Sequence, residues 1–158
     1  MALEDQPVSN PIPDAHPLDA VLVRRVTQVG RWESVSWELA AVALAGRATP
    51  AVEGDTVVLS GIPLRLYRDQ VDDYHYNLSS DTPRLFLICT RDPVDETLSA
   101  RLATLSQSEA VDYMETEEEV LSCALTGDVR DWVEAWTLLA PVPEPERKKR
   151  RRRTSKHD

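Results

Sequence analysis

Asp73, His75 and Asn77 alternate along the run VDDYHYNL, so in an extended strand a carboxylate, an imidazole and an amide line one face. Imidazole titrates near neutral pH, and flanking polar groups can fix its tautomer, so the trio could orient a proton-transfer group. The same side chains could instead form a half-solvated face, or a polar patch that holds a partner. The other histidines are His16 and His157, one near each terminus.

A second set of residues is purely electrostatic. Arg147, Lys148, Lys149, Arg150, Arg151, Arg152 and Arg153 form an unbroken cationic run, followed by Lys156. Such a run binds RNA, phosphate at a membrane surface or an acidic protein groove, and its charge alone does not choose among them. It can also fold back on the acidic stretch Glu115, Glu117, Glu118 and Glu119.

Most other chemistry lacks its residues. The chain holds five glycines, with no glycine-rich loop ahead of a helix, no P-loop and no CxxC pair. Cys89 and Cys123 each sit in an apolar run, the usual place of an inert buried thiol. No cofactor and no metal are therefore expected.

The formal charge of -9 conceals a division. Residues 1–143 carry ten arginines and no lysine against twenty-four acids, a net -14, whereas residues 144–158 carry eight cations against three acids, a net +5. An acidic body repels nucleic acid and anionic membrane, so any binding to them falls to the tail. With no basic-apolar leader and no apolar run of about 18 residues, the reading is a cytoplasmic protein without a membrane span.

The elements that must position these residues follow from periodicity. Residues 1–17 contain Pro7, Pro11, Pro13 and Pro17 and read as a disordered arm, with order beginning near Leu18. Residues 18–141 form a single domain, and residues 142–158 a proline-rich spacer and basic disordered tail. Strands are expected over 20–29, ending at Gly30, over 35–44, and over 56–67, where Gly61 and Pro63 imply a bend or a sheet edge. The alternation of 71–78 predicts a strand, turned at Ser79 to Pro83 into the doubly apolar strand LFLIC; this pair would nucleate the core. Short strands follow at 101–105 and 120–125.

Ser106 and Glu109 have capping-box spacing and open a short helix near 107–114. Asp128 reads as the N-cap of a longer helix whose Val129, Trp132, Val133, Trp136 and Leu139 form one apolar stripe, ending at Pro141. Trp32 and Trp37 are expected to cap one end of the core. The fold class is thus α+β: a mainly antiparallel, curved or barrel-like sheet of six or seven strands with a short helix and a long C-terminal amphipathic helix.

Several stretches together carry a resemblance: Arg31-Trp32, Ser36-Trp37-Glu38, LYRDQVDDYHYNLSSDTPRLFLICTR, SQSEAVDYMETEEEV and the ending PEPERKKRR. Over residues 20–153 the chain resembles DUF3305, a bacterial domain-of-unknown-function family whose genes commonly lie beside those of molybdenum-dependent formate dehydrogenase. Members are often labelled molybdopterin-guanine dinucleotide biosynthesis protein A, yet this chain lacks the glycine-rich nucleotide loop that such a transferase needs. The resemblance implies a non-enzymatic accessory protein assisting assembly or maturation of that dehydrogenase. Its partners would be dehydrogenase subunits or maturation factors, held by Asp73, His75 and Asn77 and by the Arg147–Arg153 run. Two alternatives are a nucleic-acid-binding regulator acting through the tail and a small molybdenum-cofactor-handling enzyme using Asp73, His75 and Asn77.

Overall fold

A computed structural model of the protein describes residues 12–46 and 55–140. Six strands, β1 (Ala15–Val29), β2 (Trp32–Leu44), β3 (Thr56–Arg65), β4 (Arg84–Arg91), β5 (Leu98–Thr104) and β6 (Glu119–Ala124), form one sheet in the order β2-β1-β3-β5-β4-β6. Three helices accompany it: α1 (Val71–Leu78), entered through a 3-10 turn at Arg68–Gln70, α2 (Gln107–Met114) and α3 (Gly127–Leu139). The sheet is mixed. β3 runs parallel to β5 through the pair Leu64 and Ala103, and every other pairing is antiparallel. It curls until its two edge strands, β2 and β6, lie close to each other, which makes it nearly a barrel.

β1 and β2 are joined by the two residues between Val29 and Trp32, where Gly30 takes φ +63, a conformation that costs glycine little. Residues 18–23 are buried except Asp19, and alternate side chains Leu18, Ala20 and Leu22 join the main core. The register slips between Val21 and Leu22, opposite Ala41 and Leu39, so one β2 residue bulges and the curvature increases. The expected irregularity of β3 is present as a second slip, at Gly61 with φ +71, whose N–H donates to Asp19 Oδ1 at 3.3 Å. β3 nevertheless lies inside the sheet, between β1 and β5.

Val71–Leu78 is a helix, not the expected strand. Tyr74, Tyr76 and Leu78 alternate, but Val71, Tyr74 and Asn77, three residues apart, are the ones buried, and Asp72 and Asp73 occupy the first turn, where the helix dipole favours acids. The central pair is therefore not a hairpin. β4 is the heart of its half of the sheet, flanked by β5 and β6 and buried at Leu85, Leu87, Ile88 and Cys89.

α3 lays Val129, Trp132, Val133 and Trp136 on the core, as its stripe requires, and Trp136 meets Tyr74 of α1 edge-on at 5.8 Å. The stripe closes on Ala140 instead of Leu139, which is 55 % exposed, because eleven residues return to within about 20° of Val129 at 100° per residue. Thr126, not Asp128, holds the N-cap position, and no side chain caps it; Asp128 Oδ1 instead accepts from Leu44 N at 3.4 Å.

β1 begins at Ala15, ahead of Leu18, because the α3 indoles reach the incoming chain. Trp132 Nε1 donates to Pro13 O and Trp136 Nε1 to Asp14 Oδ1, both at 2.9 Å. β5 likewise starts earlier than expected, at Leu98. Trp37 is buried and donates to Glu96 O at 3.0 Å, whereas Trp32, expected in the core, is 73 % exposed at the tip of the β1–β2 hairpin. Among the described residues no helix is long and apolar enough to cross a membrane. The arm before Ile12 and the tail from 142 onward lie outside the described residues.

Candidate functional site

The Asp73, His75 and Asn77 trio does not assemble. On a helix each residue turns by about 100°, so Asp73 and Asn77, four apart, share a face and His75 lies away from them, exposed. Asn77 is buried. Its Nδ2 donates to Arg84 O at 2.7 Å and to Leu105 O at 3.0 Å, and its Oδ1 accepts from Arg84 N at 2.9 Å. Asp73 Oδ2 accepts from Ser106 Oγ at 2.8 Å. Both residues are joints between α1 and its neighbours.

Ser106 is the N-cap of α2, its Oγ accepting from Glu109 N at 3.1 Å as the spacing predicts. The reciprocal half of the capping box is rerouted through Thr104, which lies just ahead of the helix. Ser106 N donates to Thr104 Oγ1 at 3.0 Å, and that hydroxyl donates to Glu109 Oε1 at 2.7 Å. The N-terminus of α2 is thus tied to Asp73 of α1 and to β5 at once.

Cys89, Cys123 and Tyr74 are silenced by burial. Burial pushes the Cys89 thiol up to about 12, helped by Glu119, and the Cys123 thiol to about 11. Both stay protonated at neutral pH and are poor nucleophiles and ligands. Burial also raises Tyr74 to about 12; its hydroxyl accepts from Tyr67 N at 2.9 Å and donates to Gln70 at 3.1 Å, which fixes the 3-10 turn. Among the described residues no group of three or more His, Cys, Asp or Glu side chains is placed to hold a metal ion.

What α1 and α2 do create is a groove. Asp73 and Tyr76 from α1 face Gln107, Ser108, Val111 and Asp112 from α2 across a shallow space of about 530 Å³. Tyr76 is 70 % exposed and Val111 44 %, and Met114, three residues beyond Val111 on α2, is 54 % exposed. An accessible aromatic ring and an aliphatic side chain are thereby flanked by two carboxylates. This combination suits a guanidinium or ammonium group on an apolar stem, which can lie over the ring while its charge meets an acid.

The protein uses the same chemistry on the other side of α2. Arg101 Cζ lies 5.9 Å from the centre of the Tyr113 ring, and its Nη1 is 2.9 Å from Glu118 Oε2. Two further surfaces differ in kind. The hairpin tip exposes Val26, Val29 and Trp32 on a two-stranded extension that β3 does not cover. Between β2 and β6 a seam of about 420 Å³ is lined by small residues from Ala40 to Ala43 and by Cys123 and Ala124.

The sequence reading missed Tyr76 because a strand would place it beside Tyr74 on one face. Two positions apart on a helix are about 200° apart, so burying Tyr74 exposes Tyr76. The acidic first turn of α1 was the available signal. The run Arg147 to Arg153 lies outside the described residues.

A family model described as "Protein of unknown function (DUF3305)" matches residues 19–151. No curated protein and no solved structure matches the chain.

Proposed function

The chain belongs to the DUF3305 family, and from that membership and the groove we propose that it is a non-enzymatic docking protein which holds a cationic segment of a protein partner between α1 and α2. The observation that carries this reading is that Tyr76 and Val111, both exposed, line one groove together with Asp73 and Asp112. Large aromatic side chains in partly enclosed sites supply most of the affinity of protein contacts, and the acids select for positive charge. A body of net charge -14 over residues 1–143 steers such a segment toward itself.

A non-enzymatic role is supported by what the candidate catalytic residues do. Asp73 gives one carboxylate oxygen to Ser106, Asn77 spends its hydrogen bonds on the fold, and His75 stands apart from both. The partner's identity rests on the family resemblance alone: subunits or maturation factors of a molybdenum-dependent formate dehydrogenase.

The test is affinity purification of the tagged full chain from cells making that dehydrogenase, beside a Tyr76→Ala, Asp112→Lys variant. The expected result is enrichment of dehydrogenase subunits or maturation factors that falls by about tenfold or more in the variant. Enrichment that is absent, or equal in the two, overturns the proposal.

A further inference from the structure

We propose that the groove between α1 and α2 is occupied in cis by the chain's own Arg147–Arg153 segment, which a partner must displace. This rests on the reading of the groove as a cation site given above.

Three observations converge on that occupant. The first is charge: the segment places seven cations in seven residues, and the groove offers Asp73 and Asp112 beside the Tyr76 ring. The second is the point of departure. α3 ends at Leu139 and the chain leaves through Ala140, one turn past Trp136, whose ring meets Tyr74 of α1. The departing chain therefore starts beside α1, on its Tyr74 side, about 200° around the helix from the Tyr76 wall of the groove.

The third is reach. Six residues, 141–146, separate Ala140 from the first cation, and Pro141, Pro143 and Pro145 favour extension. At about 3.1 Å per residue they span about 19 Å, enough to pass around α1, about 10–12 Å across with its side chains, from its Tyr74 side to its Tyr76 side. A tethered segment that can span its site is held at an effective concentration of about millimolar, enough to fill a weak site.

Arg101, set between the Tyr113 ring and Glu118 on the other side of α2, shows the same pairing of arginine with tyrosine and carboxylate within this fold. The acidic turn after α2 is the competing destination: Glu118 there already accepts from Arg101 and Thr90 and Glu119 from Arg91, which leaves Glu115 and Glu117, whereas the groove sets Asp112 and the second oxygen of Asp73 beside the exposed Tyr76 ring.

The experiment compares amide resonances of the full chain with those of the full chain in which Arg147, Lys148, Lys149, Arg150, Arg151, Arg152 and Arg153 are each replaced by Gln. The expected differences fall at Tyr76, Val111, Asp112 and their neighbours, are independent of protein concentration, and are reproduced in the native chain by about 0.5 M salt. Trypsin supplies a second readout: Tyr76→Ala, Asp112→Lys in the full chain speeds cleavage within 147–153 several-fold.

Unchanged groove resonances, differences confined to 115–119, or differences that grow with concentration, which would mean docking between copies, each overturn the inference. If neutralising the tail leaves the groove unmoved while Tyr76→Ala, Asp112→Lys still abolishes partner capture, cis docking falls and the groove reading stands. If the groove moves but capture ignores that variant, the reverse holds.

Discussion

The Asn77 side-chain amide makes with the backbone of Arg84 the paired hydrogen bonds that a residue on a neighbouring strand would make, donating to its carbonyl at 2.7 Å and accepting from its N–H at 2.9 Å. β4 therefore begins already paired on a side chain of α1, and a third bond, to Leu105 O at 3.0 Å, ties in the residues leading to α2. Asn77 is the junction of both walls of the groove with the sheet.

Asn77→Ala removes those bonds and strands the Leu105 carbonyl in the core, so it is expected to cost about 2–4 kcal/mol of stability. His75→Ala, at an exposed position two residues earlier, is expected to change stability by less than about 0.5 kcal/mol. Urea unfolding followed by circular dichroism compares the two. Equal midpoints would contradict the role given to Asn77.

Arg91 closes the opposite end of the structure. Its guanidinium pairs with Glu119 through Nε at 2.8 Å and Nη2 at 2.9 Å, and Nη1 reaches Val35 O at 2.9 Å and Glu96 at 3.0 Å, so one side chain links β4, β6 and the edge of β2. With Arg91 and Glu119 side chains 26 % and 30 % exposed, Arg91→Ala is expected to cost about 1–2 kcal/mol after allowance for solvent screening. Hydrogen exchange near Val35 is expected to rise, and Arg91→Lys, which cannot form the fork, to restore only part of the protection. Exchange unchanged from the native protein would show that the seam holds without Arg91.

Much of this architecture was legible from periodicity, for definite reasons. The i, i+3, i+4, i+7 stripe of α3 buries both tryptophans as read, and Ser106 caps α2 as its spacing implied. The segment 71–78 misled because Tyr74, Tyr76 and Leu78 satisfy a period of two while Val71, Tyr74 and Asn77 satisfy a period near three. Burial against α3 and β4 decided between them, and eight residues hold too few repeats to show it. The groove was illegible for the same cause, since its walls, Tyr76 and Val111, are brought together by two helices of which only one was expected. Trp32 was misplaced because aromatic content alone does not reveal that β1 and β2 outrun β3.

Trp32, 73 % exposed, is expected to provide nearly all of the readily quenched fluorescence, with Trp37, Trp132 and Trp136 each at most 8 % exposed. Trp32→Phe is expected to shift emission to the blue and remove most acrylamide quenching without loss of stability. A variant that stays as quenchable as the native protein would place a second indole in solvent.

The pH dependence follows from groups whose affinity for protons rises on folding. Cys89 goes from 9.0 to about 12, Cys123 from 9.0 to about 11 and Tyr74 from 10.0 to about 12, in each case chiefly through burial. Their contribution is complete below the unfolded values and is lost as pH rises through the folded ones, so stability is expected to fall between about pH 9 and pH 12. Native thiols are expected to resist an aromatic disulfide reagent at pH 8, both becoming reactive on unfolding. Fast reaction of either in the native protein would contradict its burial.

The groove itself is tested most directly by hydrogen exchange of the full chain alone and with its captured partner bound. Added protection is expected at residues 72–76 and 107–114, beyond what the weakly held Arg147–Arg153 segment gives the free chain, and is lost in the Tyr76→Ala, Asp112→Lys variant, with the Val29–Trp32 hairpin tip unchanged. Protection that appears at the hairpin tip while both helices exchange as in the free protein would contradict the groove reading.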